Sequence, residues 1–583
     1  MKLKFKVTEQ LIKRVVLWAI VVALVWIFGS VIVRSYGSGH KLSNNTLLDD
    51  IVPMGIYKEY LDQYPNAAYP EGVDIKLLPE EVFDTTFSTK DYTEEFGLIS
   101  LNTTSEGYAT WKVTIAQAGF YNIYIDYIPE IDRGTDIERR IKLNGEVPYD
   151  DLENVAFQRV WGDGGEKIVD VTGNEIKPRQ VEIPTRRVAY VRDTIGYVTE
   201  PYLIYFPQGE NELTIESVRE TMSVFSVHVA SKEAYPTYQE MVEHYEQQGY
   251  QKVSGEVTAY YDDPESIWIE GEDAVLRSSP TIYAISDRSS VYNSPSDPVR
   301  IILNSIGGPK WSNPGDWITW EFTVPETGLY NISLRARQST SRGLFSTRKV
   351  YVNGEIPFAE ALNTKFIYAS DWSMVTLGSD TEPFYFYLEE GVNQITMEVS
   401  LGDYGTQINR VQQIIDDLNA TYRRIIAITG INPDKYTDYF LTDRIPNLLE
   451  TFENAADELD DIAQTITEIS GEKSSETASL ETMGVQLRNF VRRHRTIQQN
   501  LGSFSTNISA LGTWILTVSS QALTVDYIMV HSDDVNLPKA NPNFFRGTWF
   551  GLRAFFGSFF FDYSSIGTTE LNEEAPTIEV WLL

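Results

Sequence analysis

The sequence predicts a mainly β fold with an α insertion: two β-sandwiches, a four-helix insert and an N-terminal transmembrane helix. Three observations predict it. The run Trp317-Ile318-Thr319-Trp320-Glu321-Phe322-Thr323-Val324-Pro325-Glu326-Thr327-Gly328-Leu329-Tyr330-Asn331-Ile332 alternates apolar and polar residues on both sides of a Pro/Gly break, the pattern of two strands around a turn. A similar run spans Tyr108 to Ile123, and Ile141-Lys142-Leu143-Asn144-Gly145-Glu146 resembles Val350-Tyr351-Val352-Asn353-Gly354-Glu355, both pairs separated by 209 residues. Two motifs held at one spacing mark a duplicated β domain. Finally, the hydrophobic period changes to helical spacing after residue 401.

Composition narrows the function. The chain has 583 residues, length for three or four domains, and a formal charge of -34, which argues against nucleic acid because phosphate binding needs a basic surface. It has no cysteine, so disulfides, thiolate catalysis, Cys-based zinc and a lipid-modified cysteine anchor are excluded. Aromatic residues make up 13%, suiting both a sandwich core and sugar stacking.

In chain order, residues 1–34 read as a cytoplasmic tail and anchor. Lys2, Lys4, Lys6, Lys13 and Arg14 precede Val15–Val33, an uncharged apolar run. At ~1.5 Å rise per residue it spans the hydrocarbon core. The basic flank keeps the N-terminus cytoplasmic and exports the bulk of the chain. A cleaved signal peptide is the alternative. Residues 35–50 read as a tether, 51–232 as the first sandwich with a long Arg- and Asp-rich insertion, and 233–264 as a connector with a short helix over Pro236–Gln248. The second sandwich takes 265–401 plus 523–532, with Leu523–Val530 as its last strand after a helical insert over 402–522. Residues 533–583 are an aromatic-rich linker expected to pack on a neighbouring domain, an interfacial helix being the other reading. Thr577–Leu583 reads as the first strand of a further domain.

These residues resemble known families. Gly315-Asp316-Trp317-Ile318-Thr319-Trp320, with Val324-Pro325 and Gly328-Leu329-Tyr330, is similar to the Gly-Asp-Trp strand pair of family-6 and family-35 carbohydrate-binding modules. Ile269–Ala274 resembles their opening strand and Val525–Ile528 their closing one. The resemblance implies galactose-binding-like jelly rolls. The layout resembles the front part of extracellular solute-binding proteins of Gram-positive carbohydrate ABC transporters, although the two-lobed ligand-binding body of that family has no counterpart here. It implies sugar uptake at the cell membrane, with an oligo- or polysaccharide and a transporter permease as partners.

Sugar sites need a flat aromatic face with amides or carboxylates beside it. Trp311 with Asn313, and Trp372 with Tyr368 and Asp371, are the candidate carbohydrate residues, with burial against the helical insert as the alternative for both tryptophans. Trp317 and Trp320 are expected on one sheet face, in the core. By the resemblance, Glu270, Glu272 and Asp526 match acidic positions around a structural Ca2+, a hard cation suited to oxygen ligands. No catalytic motif stands out: the five histidines show no metal spacing, and neither a Gly-x-Ser-x-Gly elbow nor a phosphate loop occurs. The chain therefore reads as a non-enzymatic sugar binder. A structural or adhesive surface spacer and an accessory protein of glycoside hydrolysis are the alternatives.

Overall fold

The computed structural model describes residues 57–253 and 267–561, apart from 341, 380, 381 and 534. The expected transmembrane segment, the tether and the Thr577–Leu583 strand lie outside the described residues. Among the described residues no helix is long and apolar enough to cross a membrane.

Both expected hairpins form. The strands Gly107–Ile115 and Gly119–Pro129 recur as Trp317–Val324 and Gly328–Arg337. Duplication reaches individual atoms. Trp111 and Trp320 each donate their indole N–H to a backbone carbonyl, Leu78 and Gly271, at 2.9 Å. The hydroxyls of Tyr121 and Tyr330 each donate to a carbonyl four residues back at 2.7 Å. Asn144 and Asn353 take positive φ, 53° and 52°, before a glycine, as the tight turn of a two-residue hairpin requires. Arg139 and Arg348, also 209 apart, are fully buried and bonded to backbone carbonyls, and burial pushes both down to about 9.

Each copy is a two-sheet sandwich. In the first, a five-stranded sheet around Gly107–Ile115 and Gly209–Arg219 faces a seven-stranded sheet around Gly119–Pro129 and Met222–Ala230. In the second, Leu523–His531 pairs with Ile267–Glu270, Ser305–Gly308 and Gly328–Arg337. The helical insert therefore does precede the closing strand.

The boundary between the sandwiches differs from expectation. The Arg- and Asp-rich insertion of the first copy stays with it only in part, where Arg187–Tyr190 pairs with Gly119–Pro129. Its strands Gln180–Glu182 and Trp161–Asp163 extend the sheet of the second copy through Leu276–Arg277. Arg277, fully buried, closes the joint on Asp163 and Gln180. An edge strand offers unpaired N–H and C=O groups, and the insertion satisfies them.

The connector helix is Tyr238–Gln248, with Thr237 and Glu240 forming a capping box and Gly249 ending it in the left-handed region. The helical insert consists mainly of Asp403–Thr429, Leu448–Ser470, Ser475–Arg492 and Leu501–Ser519. Their apolar stripes meet around Leu418, Phe452, Leu487 and Phe504. Phe345 of the second sandwich stacks on Tyr404 at 4.4 Å, seating the bundle on the sheet. The linker carries a helix, Phe544–Ser558, with no buried residue.

Candidate functional site

The two tryptophans expected as sugar platforms are buried, which corrects that reading. Trp311 is 0% exposed: Arg348 lies 4.0 Å over its ring, Trp320 meets it edge-on, and its indole N–H donates to the Asp316 carbonyl. Trp372 is 3% exposed, with Arg335 and Arg337 over its ring at 4.6 and 4.7 Å. Guanidinium groups occupy the faces that a sugar ring would need. Beside Trp372, Tyr368 is half-buried and Asp371 exposed, with no platform between them. Asn313 is exposed and donates to Asp316 at 3.3 Å.

Trp317 and Trp320 are both buried, but on opposite faces, because residues three apart on a strand point opposite ways. Trp320 enters the core of the second sandwich. Trp317 points towards the first sandwich, where its indole N–H donates to Gln158 at 2.7 Å and Arg187 lies 4.1 Å over its ring.

Between the sandwiches runs a cleft of about 1670 Å3, lined by Gln158, Trp161 and Arg187 of the first copy's sequence and by Asn313, Asp316 and Trp317 of the second. Gln158 ties the two walls together, donating to the Gly315 carbonyl at 2.7 Å while its own carbonyl accepts from the Tyr127 hydroxyl at 2.9 Å. Deeper, Arg192 grips Glu398 with two bonds, 2.8 and 3.2 Å, and Tyr351 donates to the same carboxylate at 3.0 Å. Burial would push Glu398 up, but Arg192 and Lys349 hold it below the usual carboxylate range. Burial pushes Asp316 up to about 6. Arg187 makes no ion pair among the described residues, and burial lowers its pKa. Trp161 is half-buried and presents part of its ring to the cleft. An aromatic edge, two amides, a carboxylate and a guanidinium can together hold a polyhydroxylated ligand.

Of the expected sugar residues, the structure brings only Asn313 to this cleft. Trp161, Gln158, Arg187, Arg192 and Glu398 were not singled out by sequence. The available signal was the Arg- and Asp-rich composition of the insertion, but its partner sandwich has no local signature.

The three acidic positions do not form one cation cage. Asp526 is fully buried and paired with Arg335, which also bonds Asn293 and the Ala540 carbonyl. Among the described residues no group of three or more His, Asp or Glu is placed to hold a metal ion. Glu270 and Glu272 remain together. Glu270 accepts from Ser294 at 2.7 Å, and Glu272 Oε2 is buried without a hydrogen-bond partner. Burial pushes Glu272 up to about 9 despite Lys167 Nζ at 3.5 Å. An unsatisfied buried oxygen beside a second carboxylate fits a hard cation; Asp526 does not.

One hydrogen-bond chain has the connectivity of a hydrolase triad. Ser226 meets His228 at 3.0 Å, and His228 meets Asp74 at 2.8 Å. Ser226 is 1% exposed, however, Tyr124 stacks on the imidazole at 4.2 Å, and Ser226 lines neither cavity described, this cleft or the smaller one beside His531. The chain ties the short Asp74–Leu77 strand to the sheet.

Residues 406–517 match the family model described as the bacterial solute-binding protein, 4-helix bundle domain. The helical insert thus matches the bundle domain of bacterial solute-binding proteins. A family 35 carbohydrate-binding module from Clostridium thermocellum is 14% identical, covering 27% of this chain and 99% of its own, with a TM-score of 0.17. A module of the same family from Cellvibrio japonicus is 12% identical over 28% of this chain and 95% of its own, also with a TM-score of 0.17. A Paenibacillus xanthan lyase is 11% identical over 57% of this chain and 26% of its own, with a TM-score of 0.15. No curated protein matches the chain.

Proposed function

We propose that this chain is a membrane-tethered carbohydrate-binding protein serving sugar uptake through an ABC transporter, and that it binds saccharide without cleaving it. The observation that carries this reading is the cleft between the sandwiches, with the half-buried Trp161 ring, Gln158 and Asn313 all in its lining. The bundle match to solute-binding proteins and the names of the structural neighbours support it. Affinity electrophoresis against a polysaccharide panel tests it. Trp161→Ala is expected to weaken retardation by roughly tenfold, the loss of one stacking contact of about 1–1.5 kcal/mol. Trp372→Ala is expected to lower thermal stability instead. No retardation by any polysaccharide, or Trp161→Ala matching the parent, would refute it.

Burial of Trp311 and Trp372 favours a second reading, a rigid spacer that holds partners off the membrane. Absence of binding together with a stable fold would support that reading.

We further propose that Glu270 and Glu272 hold Ca2+, the cation neutralising a carboxylate that burial otherwise disfavours. Added Ca2+ is expected to raise the melting temperature of the parent relative to chelator, and to leave Glu272→Gln unchanged. An equal rise in both proteins would place the ion elsewhere.

A further inference from the structure

The helix Phe544–Ser558 turns large apolar side chains to solvent. Phe544, Phe545, Trp549, Leu552, Phe555 and Phe556 are 44% to 80% exposed. At about 3.6 residues per turn they fill one continuous arc of roughly 140°. The opposite face is half-buried and carries Gly547, Phe550, Ala554 and Gly557; Gly547 lies near Pro542, and a side chain at Gly557 would strike Val299. The helix therefore meets the second sandwich at Gly557, beside Val299, and leaves the aromatic arc unpartnered among the described residues.

Its charge is also distinctive. A chain of net charge -34 places no acid in this helix, only Arg546 and Arg553. Seven residues apart, they lie on one edge of the aromatic arc. Arg546 donates to the Tyr292 hydroxyl at 3.0 Å, and neither arginine has an ion pair among the described residues. Aromatic residues bordered by arginine suit the boundary between acyl chains and phosphate headgroups. A second copy is the poorer occupant, since it would bring the same two arginines against this face and join two strongly acidic chains.

We propose that this helix lies in the interface of an anionic lipid bilayer, its aromatic arc among the acyl chains and its arginines at the phosphates. The remaining acidic surface is repelled by the same lipids, so contact is confined to this helix.

The absence of cysteine allows a clean test. The full chain carrying Phe556→Cys and a nitroxide label is placed in phosphatidylglycerol vesicles, and accessibility to oxygen and to a water-soluble nickel chelate is compared. Leu516→Cys, on the exposed side of the bundle, serves as the aqueous reference. The label at 556 is expected to favour oxygen over the chelate, and to revert to the aqueous pattern with Arg546→Glu and Arg553→Glu. If Phe556→Cys does not fold, Phe545→Cys takes its place. An aqueous pattern in the parent background would overturn the proposal. Protection from both reagents would also overturn it, showing a protein surface over the helix.

Discussion

Arg335→Ala is expected to cost the second sandwich about 3–5 kcal/mol, because it strands a buried carboxylate. Asp526 and Arg335 are both fully buried, and Asp526 also accepts the Ser294 N–H at 3.1 Å. The guanidinium does three further things. It covers Trp372, bonds Asn293 at 2.8 Å, and holds the Ala540 carbonyl from which the chain leads to the aromatic helix. Chemical denaturation followed by tryptophan fluorescence would measure the loss. Arg335→Met with Asp526→Leu should cost less than Arg335→Ala alone, since no charge is then left unpaired. A single-variant cost under about 1 kcal/mol would mean that the pair behaves as an exposed one.

Glu398→Ala is expected to cost about 2–5 kcal/mol and to loosen the two sandwiches from each other. Glu398 lies on the second sandwich; Arg192 comes from the first copy's insertion. Removing the carboxylate leaves Arg192 and Lys349 facing each other in a desolvated place, and Tyr351 without its acceptor. Calorimetry should show the sandwiches melting together in the parent and in two steps in Glu398→Ala. Glu398→Gln keeps acceptor capacity for Tyr351 but loses the charge, so an intermediate effect is expected. A single unshifted transition in Glu398→Ala would show that the joint is held elsewhere, most directly at Arg277 and Asp163.

Much of the fold was legible because its signals are local. Alternation along Trp317–Val324 and Gly328–Arg337 shows a hairpin without any knowledge of its partners. Helical spacing likewise shows Asp403–Thr429 before anything is known of the core it enters. The site was less legible. Trp311 and Trp372 carry the residue type of a sugar platform, yet each is covered by an arginine: Arg348, 37 residues later, for the first, and Arg335 and Arg337 for the second. Asp526 carries the residue type of a calcium ligand, yet Arg335 neutralises it.

By itself the sequence determined the duplicated hairpins, the helical insert and the closing strand after it. Each follows from a period or turn chemistry contained within a few residues. Only the tertiary structure decided that the first copy's insertion completes the second copy's sheet, which tryptophans are covered, and that a cleft opens between the sandwiches. Those outcomes depend on which distant groups meet, and desolvation with charge pairing selects the partners after the local elements have formed.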